Sequence, residues 1–165
     1  MADPRTNDET PTPARAQDNA AEALAPRGNV LAGIHVVSNL IGRAFFPEIA
    51  SKWDLSLAEW RIVLTLAHRP GASAAEITAL WGMEKMAVSR AARRLERMGR
   101  VARTSDPKDG RRFTLSLTEA GRALFEEVEP SATARYHEIV AVLDRSEREA
   151  LHIALTKLIE HIPTL

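Results

Sequence analysis

One segment of this chain, residues 84–98, restricts the possible folds more than any other. On an α-helix its apolar side chains fall within one arc of roughly 120°. These are Val88, Ala91, Ala92, Leu95 and Met98. The opposite half carries mainly cations and small polar groups, namely Lys85, Met86, Ser89, Arg90, Arg93, Arg94 and Arg97. The pattern predicts a helix that packs one face on a core and leaves the other face for a polar partner.

The segments on either side of this helix indicate what the partner is. Ser73-Ala-Ala-Glu76 opens a short apolar helix, which ends in a turn at residues 81–83. Residues 100–104 and 112–117 have the composition of two strands, and Asp-Pro-Lys-Asp-Gly at 106–110 is typical of the turn between them. A helix, a turn, an amphipathic helix and a hairpin in this order predict a winged helix-turn-helix, whose cationic helix enters a DNA major groove.

The charge distribution agrees with a nucleic-acid interface, although the whole chain is formally neutral. Residues 81–112 contain ten basic and four acidic side chains, a net charge of +6, so the remainder carries −6. A local positive region on an otherwise acidic protein is expected where phosphates are bound. The alternative is a solvated helix surface, which explains most runs of charge. Double-stranded DNA is the predicted partner.

Individual contacts follow from the positions of the polar side chains on the helix. Lys85 and Ser89, near its start, are predicted to reach base edges or phosphates. Arg90 is placed for a bidentate contact to guanine, whereas Arg93 and Arg94 are expected to hold phosphates.

Two further DNA contacts are predicted, one from the recognition helix and one from the hairpin. Met86 is an unusual residue for the polar face, and we interpret it as a contact to a thymine methyl group. In the hairpin, Arg111 and Arg112 point to opposite faces of their strand, so only one can lie along a groove. We assign that role to Arg111; the alternative is a plain surface hairpin.

Three Ser-x-x-Glu sequences predict helix starts, because the hydroxyl and the carboxylate satisfy each other's backbone amides. They are Ser56 to Glu59, Ser73 to Glu76 and Ser146 to Glu149, and they predict helices at 57–68, 74–81 and 147–161. Thr118 is predicted to cap a long helix, which Pro130 interrupts or kinks before it resumes as far as residue 143.

The predicted fold is mainly α with a small β-wing. Residues 1–27 contain four prolines and little to bury, which predicts a disordered tail. Residues 28–162 form the folded domain, with the winged helix-turn-helix at 55–117. Helices at 29–51 and 119–162 flank it.

The flanking helices predict a homodimer. The helix at 29–51, which Pro47 bends or ends early, has an apolar stripe wider than one small partner would cover. A two-fold DNA site also needs two recognition helices about one turn of DNA apart. We therefore expect dimerisation through residues ~29–50 and ~119–162.

Several functional classes are excluded. The chain has no cysteine, so disulfides, thiolate zinc sites and cysteine redox sensing are ruled out. Neither a glycine-rich phosphate loop nor HExxH spacing is present, so neither an enzyme, a metal nor a cofactor is expected. No apolar run approaches the roughly 18 residues of a membrane span, and no signal segment opens the chain. We expect a cytoplasmic, nucleoid-associated protein.

Three segments in order resemble the MarR family of transcriptional regulators. They are Leu-Ser-Leu-Ala-Glu-Trp-Arg-Ile-Val-Leu at 55–64, the helix at 88–99, and the turn at 106–112 leading into Leu-Thr-Glu-Ala-Gly at 117–121. The resemblance covers residues ~30–162. It implies a dimeric winged-helix repressor that leaves its operator when a small effector binds, often an aromatic carboxylate or a phenol.

The resemblance also implies roles for single residues. Arg90 occupies a position that contacts bases or backbone, Arg111 that of the wing arginine in the minor groove, and Asp109 that of the aspartate orienting it. The chain lacks the cysteine of peroxide-sensing members, and nothing aromatic precedes Phe45, unlike urate-responsive members. Among the members that respond to aromatic acids, the chain resembles a regulator of nicotinate metabolism on overall impression, so a hydroxylated nicotinate or benzoate is the implied effector.

In this family the effector pocket lies between the dimer helices and the winged domain. Candidates on the first helix are His35, Ser38 and Arg43, and candidates at the next junction are Trp53, Trp60 and Arg61. A cation or imidazole beside an indole suits an aromatic carboxylate. The alternatives are that His35 and Trp60 are core residues and that Arg61 pairs with Glu59 or with the second subunit.

The sequence leaves three functional hypotheses. The first is a ligand-responsive repressor that binds a palindromic operator as a dimer. The second is an effector-independent DNA-binding protein, either architectural or controlled by a partner. The third is a winged-helix interaction module that no longer binds DNA, which steeply salt-dependent DNA binding would exclude.

Overall fold

The computed structural model describes residues 29–105 and 113–164, apart from the side chain of Phe45. The elements are α1 (Val30–Trp53), α2 (Leu57–His68), α3 (Ala74–Trp81), α4 (Lys85–Arg97), β1 (Val101–Ser105), β2 (Phe113–Leu117), α5 (Glu119–Val140), α6 (Arg145–His161) and a 3-10 turn, Ile162–Thr164. The predicted tail at 1–27 and the wing-tip residues Asp109 and Arg111 lie outside the described residues. The chain divides into two units, Met1–Arg43 and Ala44–Leu165.

The capping boxes place α2 and α3 as the sequence predicts. The Glu59 and Glu76 amides donate to the Ser56 and Ser73 hydroxyls at 3.3 and 3.2 Å. Each carboxylate accepts from the serine amide at 2.7 Å. The hydrogen bond from the Ser73 backbone, and then that from its hydroxyl, lowers the pKa of Glu76, so this carboxylate is charged at neutral pH.

The prediction for the third box is wrong. Helix α6 begins at Arg145, with Asp144 as its N-cap and Glu147 as the reciprocal partner. The Asp144 amide donates to Glu147 at 2.8 Å, and the Glu147 amide donates to Asp144 at 2.9 Å. Aspartate is as good an N-cap as serine, so the earlier Asp-x-x-Glu sequence starts the helix. The Ser146 hydroxyl instead donates to Asp144 Oδ1 at 2.7 Å.

Neither proline ends its helix, so the expectation of an early end at Pro47 or an interruption at Pro130 is wrong, whereas a bend or kink there stays a prediction. Pro47 lies inside α1, and Pro130 lies inside α5, which ends at Val140. A proline removes one helical hydrogen bond, but packing of the surrounding turns can outweigh that loss. Val128 and Ala132, on either side of Pro130, are buried in the core.

The core of the second unit is built around α4. Val88 and Leu95 are fully buried, as are Ile62 and Val63 of α2 and Ile77 of α3. Strands β1 and β2 pair antiparallel, with Val101 opposite Leu117 and Ser105 opposite Phe113. Residues 71–73 bond to the outer edge of β2: the amides of Gly71 and Leu115 donate to the Leu115 and Ala72 carbonyls, each at 3.0 Å. The wing is therefore anchored to the start of α3.

Helix α1 contradicts the expectation that no segment of the chain is long and apolar enough for a membrane span. In the described part of the chain it is the one helix long and apolar enough to cross a bilayer, with 24 residues and a hydropathy of 1.3. Length and composition alone are weak evidence, because the core helix of a soluble protein meets the same criterion. Ile49 and Trp53, in its last turns, are buried in the core of the second unit.

Candidate nucleic-acid interface

The helix-turn-helix fixes the start of α4. Gly82 caps α3 in the left-handed conformation, with φ of 58°, which glycine adopts without a steric penalty. The indole Nε1 of Trp81 donates to the Thr65 hydroxyl of α2 at 2.8 Å. Helix α3 is therefore tied to α2 just before the turn, and α4 begins at Lys85.

The outer face of α4 is cationic and open to solvent. Lys85, Arg90, Arg93 and Arg97 are exposed, and the structure gives none of these four an ion-pair partner among the described residues. Met86 is 60 % exposed beside them. Exposed cations without internal partners are available to phosphates and base edges.

A groove of about 770 Å³ lies between α4, the start of α3 and the wing. Lys85, Arg93 and Arg103 supply its positive charge, and it is also lined by Ser73, Ser89 and the two acidic residues Glu76 and Glu96. Arg103 lies over the ring of Phe113, with 3.8 Å from its guanidinium carbon to the ring centroid. The sequence interpretation counted Arg103 among the basic residues of the region but gave it no role. Its position in an exposed strand that pairs with β2 was the signal that could have indicated a DNA contact.

A second groove, about 540 Å³, lies on the other side of α4, against the start of α2. Arg90, Arg93 and Arg97 line it together with Ser56. The two grooves place positive charge along both sides of the recognition helix. A duplex seated on α4 has a phosphate backbone on each side of its major groove, so this arrangement fits the shape and charge of DNA.

Arg94, which the sequence interpretation assigned to phosphate, has partners inside the protein. Its guanidinium donates to Glu59 at 2.6 Å and forms an ion pair with Asp54 at 2.8 Å. It also donates to the Asp54 carbonyl at 3.1 Å. These contacts hold it at the edge of the cationic face, on the side of α2.

Trp53 and Trp60, two of the predicted effector residues, lie in the core of the second unit. Each is 5 % exposed. Trp60 stacks on Phe125 at 6.0 Å, and His68 meets the same ring edge-on at 5.8 Å. Trp60 is therefore a packing residue in this structure, as the alternative interpretation held.

Arg61 remains half-buried and lies over the Trp81 ring at 5.1 Å. Burial lowers the pKa of its guanidinium, and no carboxylate of the described residues forms an ion pair with it. His35, Ser38 and Arg43 belong to the first unit, where all three are exposed on α1.

Comparison with known proteins identifies the family. The MarR family model matches residues 53–112. The HTH-type transcriptional repressor Rv2887 of Mycobacterium tuberculosis is 30% identical over 121 residues, which are 72% of this chain and 87% of the repressor. The chain belongs to the MarR family.

Solved structures of MarR-type regulators share the fold. A MarR/EmrR family regulator from Acinetobacter sp. ADP1 is 25% identical, with a TM-score of 0.79 over 86% of this chain and 100% of that one. Bordetella bronchiseptica BpsR, whose DNA binding is regulated by 6-hydroxynicotinic acid, is 25% identical, with a TM-score of 0.65 over 75% of this chain and 96% of that one.

Membership of the MarR family establishes the general activity. This MarR-family protein is a DNA-binding transcriptional regulator of the winged-helix type and not an enzyme. Its family consists of soluble, cytoplasmic proteins.

Proposed function

We propose that this MarR-family regulator is a repressor that binds a palindromic operator as a homodimer and is released by a small aromatic carboxylate. The observation that carries the DNA-binding part is the set of cations on α4 that have no ion-pair partner in the described part of the chain, with Arg103 at the base of the wing. Lys85, Met86, Ser89, Arg90 and Arg93 are the proposed contacts of the recognition helix. Asp109 and Arg111 keep their predicted role in the wing.

The apolar surface of α6 supports the homodimer. The structure buries none of its 17 residues. Its residues Leu151, Leu155, Leu158 and Ile159, with Ile162 directly after its end, nevertheless recur at intervals of three and four, within an arc of roughly 100°. Leu151 and Ile159 are 48 % and 68 % exposed. A helix with such a stripe is stable in water when a second surface covers it, and a second copy of the chain is the proposed cover.

The Ile159→Glu variant is expected to be a monomer, because a carboxylate in an apolar interface is poorly solvated. Sedimentation velocity compares it with the wild-type protein, for which we expect a mass of two chains. Ile153→Glu is the matched control, since Ile153 is 48 % exposed but lies off the stripe. A dimeric Ile159→Glu variant, or a wild-type monomer, would contradict this interface.

Two observations support an aromatic carboxylate as the effector. BpsR, which has the same fold, responds to 6-hydroxynicotinic acid. In this chain Arg61 is a partly desolvated cation beside an indole, and its described surroundings offer no anion to it. A carboxylate would supply the missing charge and an aromatic ring would add stacking. The roles of His35, Ser38 and Arg43 in effector binding stay predictions from the sequence.

The proposed mechanism is a shift between two spacings of the recognition helices. The effector favours a separation that no longer matches one turn of B-DNA. Operator and effector must then weaken each other's binding by the same factor, because the coupling free energy is reciprocal. The competing hypothesis, an effector-independent DNA-binding protein, predicts no such coupling.

Release by an aromatic acid can be tested with labelled DNA from upstream of the chain's own gene. In fluorescence anisotropy, 6-hydroxynicotinate or 4-hydroxybenzoate is expected to reduce operator affinity at least about tenfold. The neutral amides of the same acids are the matched controls and should have little effect, since they lack the carboxylate for Arg61. Salt-dependent binding that no acid of the panel alters would favour the effector-independent alternative.

A further inference from the structure

Arg94 differs from the other cations of α4 because its guanidinium is directed at three groups of the protein. Nη1 donates to Glu59 Oε2 at 2.6 Å and to the Asp54 carbonyl at 3.1 Å. Nη2 pairs with Asp54 Oδ1 at 2.8 Å. The neighbouring cations Arg90, Arg93 and Arg97 have no such partners among residues 29–105 and 113–164. One arginine of the basic face thus has a different environment.

The carboxylate of Glu59 explains why this arginine is held so firmly. Glu59 is 2 % exposed, and its Oε2 also accepts the Ser56 amide in the capping box of α2. A buried carboxylate needs an opposite charge and hydrogen bonds, because its hydration has been lost. Arg94 provides both, and it thereby joins the last turn of α4 to the start of α2.

The other end of the contact lies at the C-terminus of α1. Asp54 follows the last residue of α1 and has a positive φ of 51°. Its carbonyl is bound by Arg94, and the Trp53 carbonyl is bound by Arg100 Nη1 at 3.1 Å. The last carbonyls of a helix lack helical partners, and cations stabilise them. Two arginines from α4 and from the residue before β1 therefore fasten the DNA-binding elements to the end of α1.

We propose that Arg94 is a positioning residue, which sets the placement of the recognition helix relative to the end of α1 and does not bind DNA. The inference rests on the proposed function, because it concerns how two recognition helices match one operator. The pKa of Arg94 is raised, first by its hydrogen bond to Asp54, as expected for a cation paired with carboxylates. Without the contacts of Arg94 to Glu59 and Asp54, α4 stays folded against its apolar core but is less precisely placed.

Salt dependence separates a positioning arginine from a phosphate ligand. We compare Arg94→Met with Arg93→Met, which removes the same charge from the adjacent position, by anisotropy with upstream DNA over a series of KCl concentrations. Arg93→Met should lower the slope of log K against log salt by about one. Arg94→Met should weaken binding without changing that slope. A decrease of about one for Arg94→Met would overturn the proposal.

Operator spacing gives a readout that loss of stability alone would not change. One base pair inserted at the centre of the operator rotates one half-site by about 35° relative to the other. The wild-type protein and Arg93→Met should disfavour this operator by about tenfold or more. An Arg94→Met/Glu59→Gln double variant, which leaves no unpaired buried charge, should discriminate much less, by about twofold. Circular dichroism verifies that every variant is folded at the assay temperature.

The outcomes distinguish this proposal from the proposed function. A wild-type protein without salt-dependent DNA binding would refute the proposed function itself. Normal wild-type binding, together with full discrimination between the two spacings by the double variant, would refute the positioning role alone. Asp54→Asn removes the charge of the 76 % exposed carboxylate that pairs with Arg94. This variant should shift the spacing preference in the same direction as the double variant.

Discussion

Replacing Gly121 with alanine is expected to lower the free energy of unfolding by roughly 3 kcal/mol. A Cβ atom at this position would overlap the Arg100 carbonyl oxygen and lie 3.0 Å from its carbonyl carbon. Both are backbone atoms, so no side chain can rotate away to make room. The start of α5 and the segment between α4 and β1 would have to separate.

The contacts around Gly121 show what such a separation would disturb. The Thr118 hydroxyl donates to the Gly99 carbonyl at 2.6 Å and accepts the Gly121 amide at 3.0 Å. The Thr118 amide donates to the Arg100 carbonyl at 3.1 Å. The Leu-Thr-x-x-Gly sequence at 117–121 therefore joins the start of α5 to the residues between α4 and β1. Its glycine is required by the distance between the backbones, since no positive φ is involved.

Thermal unfolding measured by circular dichroism at a fixed protein concentration tests this expectation. The midpoint should fall by about 6–12 °C for Gly121→Ala. Gly42→Ala is the matched control: Gly42 also lies in a helix, but a Cβ there meets nothing within 4 Å. Its helix propensity should rise, so the midpoint should stay the same or increase slightly. Equal midpoints for Gly121→Ala and the wild type would contradict the close approach.

The double variant Arg90→Met/Arg93→Met is expected to lose operator affinity by at least about thirtyfold, since each contact contributes on the order of 1–3 kcal/mol. Both side chains are exposed and line the groove between α4 and the start of α2. Methionine keeps the length and the helix propensity of the side chain, so the loss isolates the charge. The salt slope should also decrease by about two.

Lys157→Met is the control for this double variant. Lys157 is exposed on α6 and lies off the apolar stripe. Removing its charge alters the net charge without touching α4, so operator affinity and salt slope should stay close to those of the wild type. Unchanged binding by the double variant, with a normal melting temperature, would remove α4 from the DNA interface.

The cationic face of α4 shows which features of the candidate site sequence patterns can predict and which they cannot. Helical periodicity places Arg90, Arg93 and Arg94 on the same half of α4, and in that respect they are equivalent. The structure separates them, because α2 brings the buried carboxylate of Glu59 to one edge of that half. Residue 94 and residue 59 are 35 positions apart. No local pattern contains such a pair, so only packing reveals it.

Arg103 and Trp60 are two further residues whose roles only the folded chain decides: the structure gives Arg103 a role and removes the one predicted for Trp60. Arg103 appeared in the sequence as one basic residue among ten, and it gains a place in the α4 groove only through the register of β1 with β2. Trp60 suggested a ligand-binding indole, but its ring is enclosed by the core and stacked on Phe125. Exposure decides which of such side chains is available to a ligand, and exposure is a property of the folded chain.

The sequence by itself determined the elements whose causes are local. Reciprocal capping fixed the starts of α2 and α3, and the two-sided periodicity of residues 84–98 fixed the buried and cationic faces of α4. Tertiary structure alone decided the continuation of α1 and α5 through their prolines, the pairing of Arg94 with Asp54 and Glu59, and the need for Gly121 beside Arg100. Capping and periodicity act within a few residues, whereas these features depend on atoms that folding brings together from distant parts of the chain.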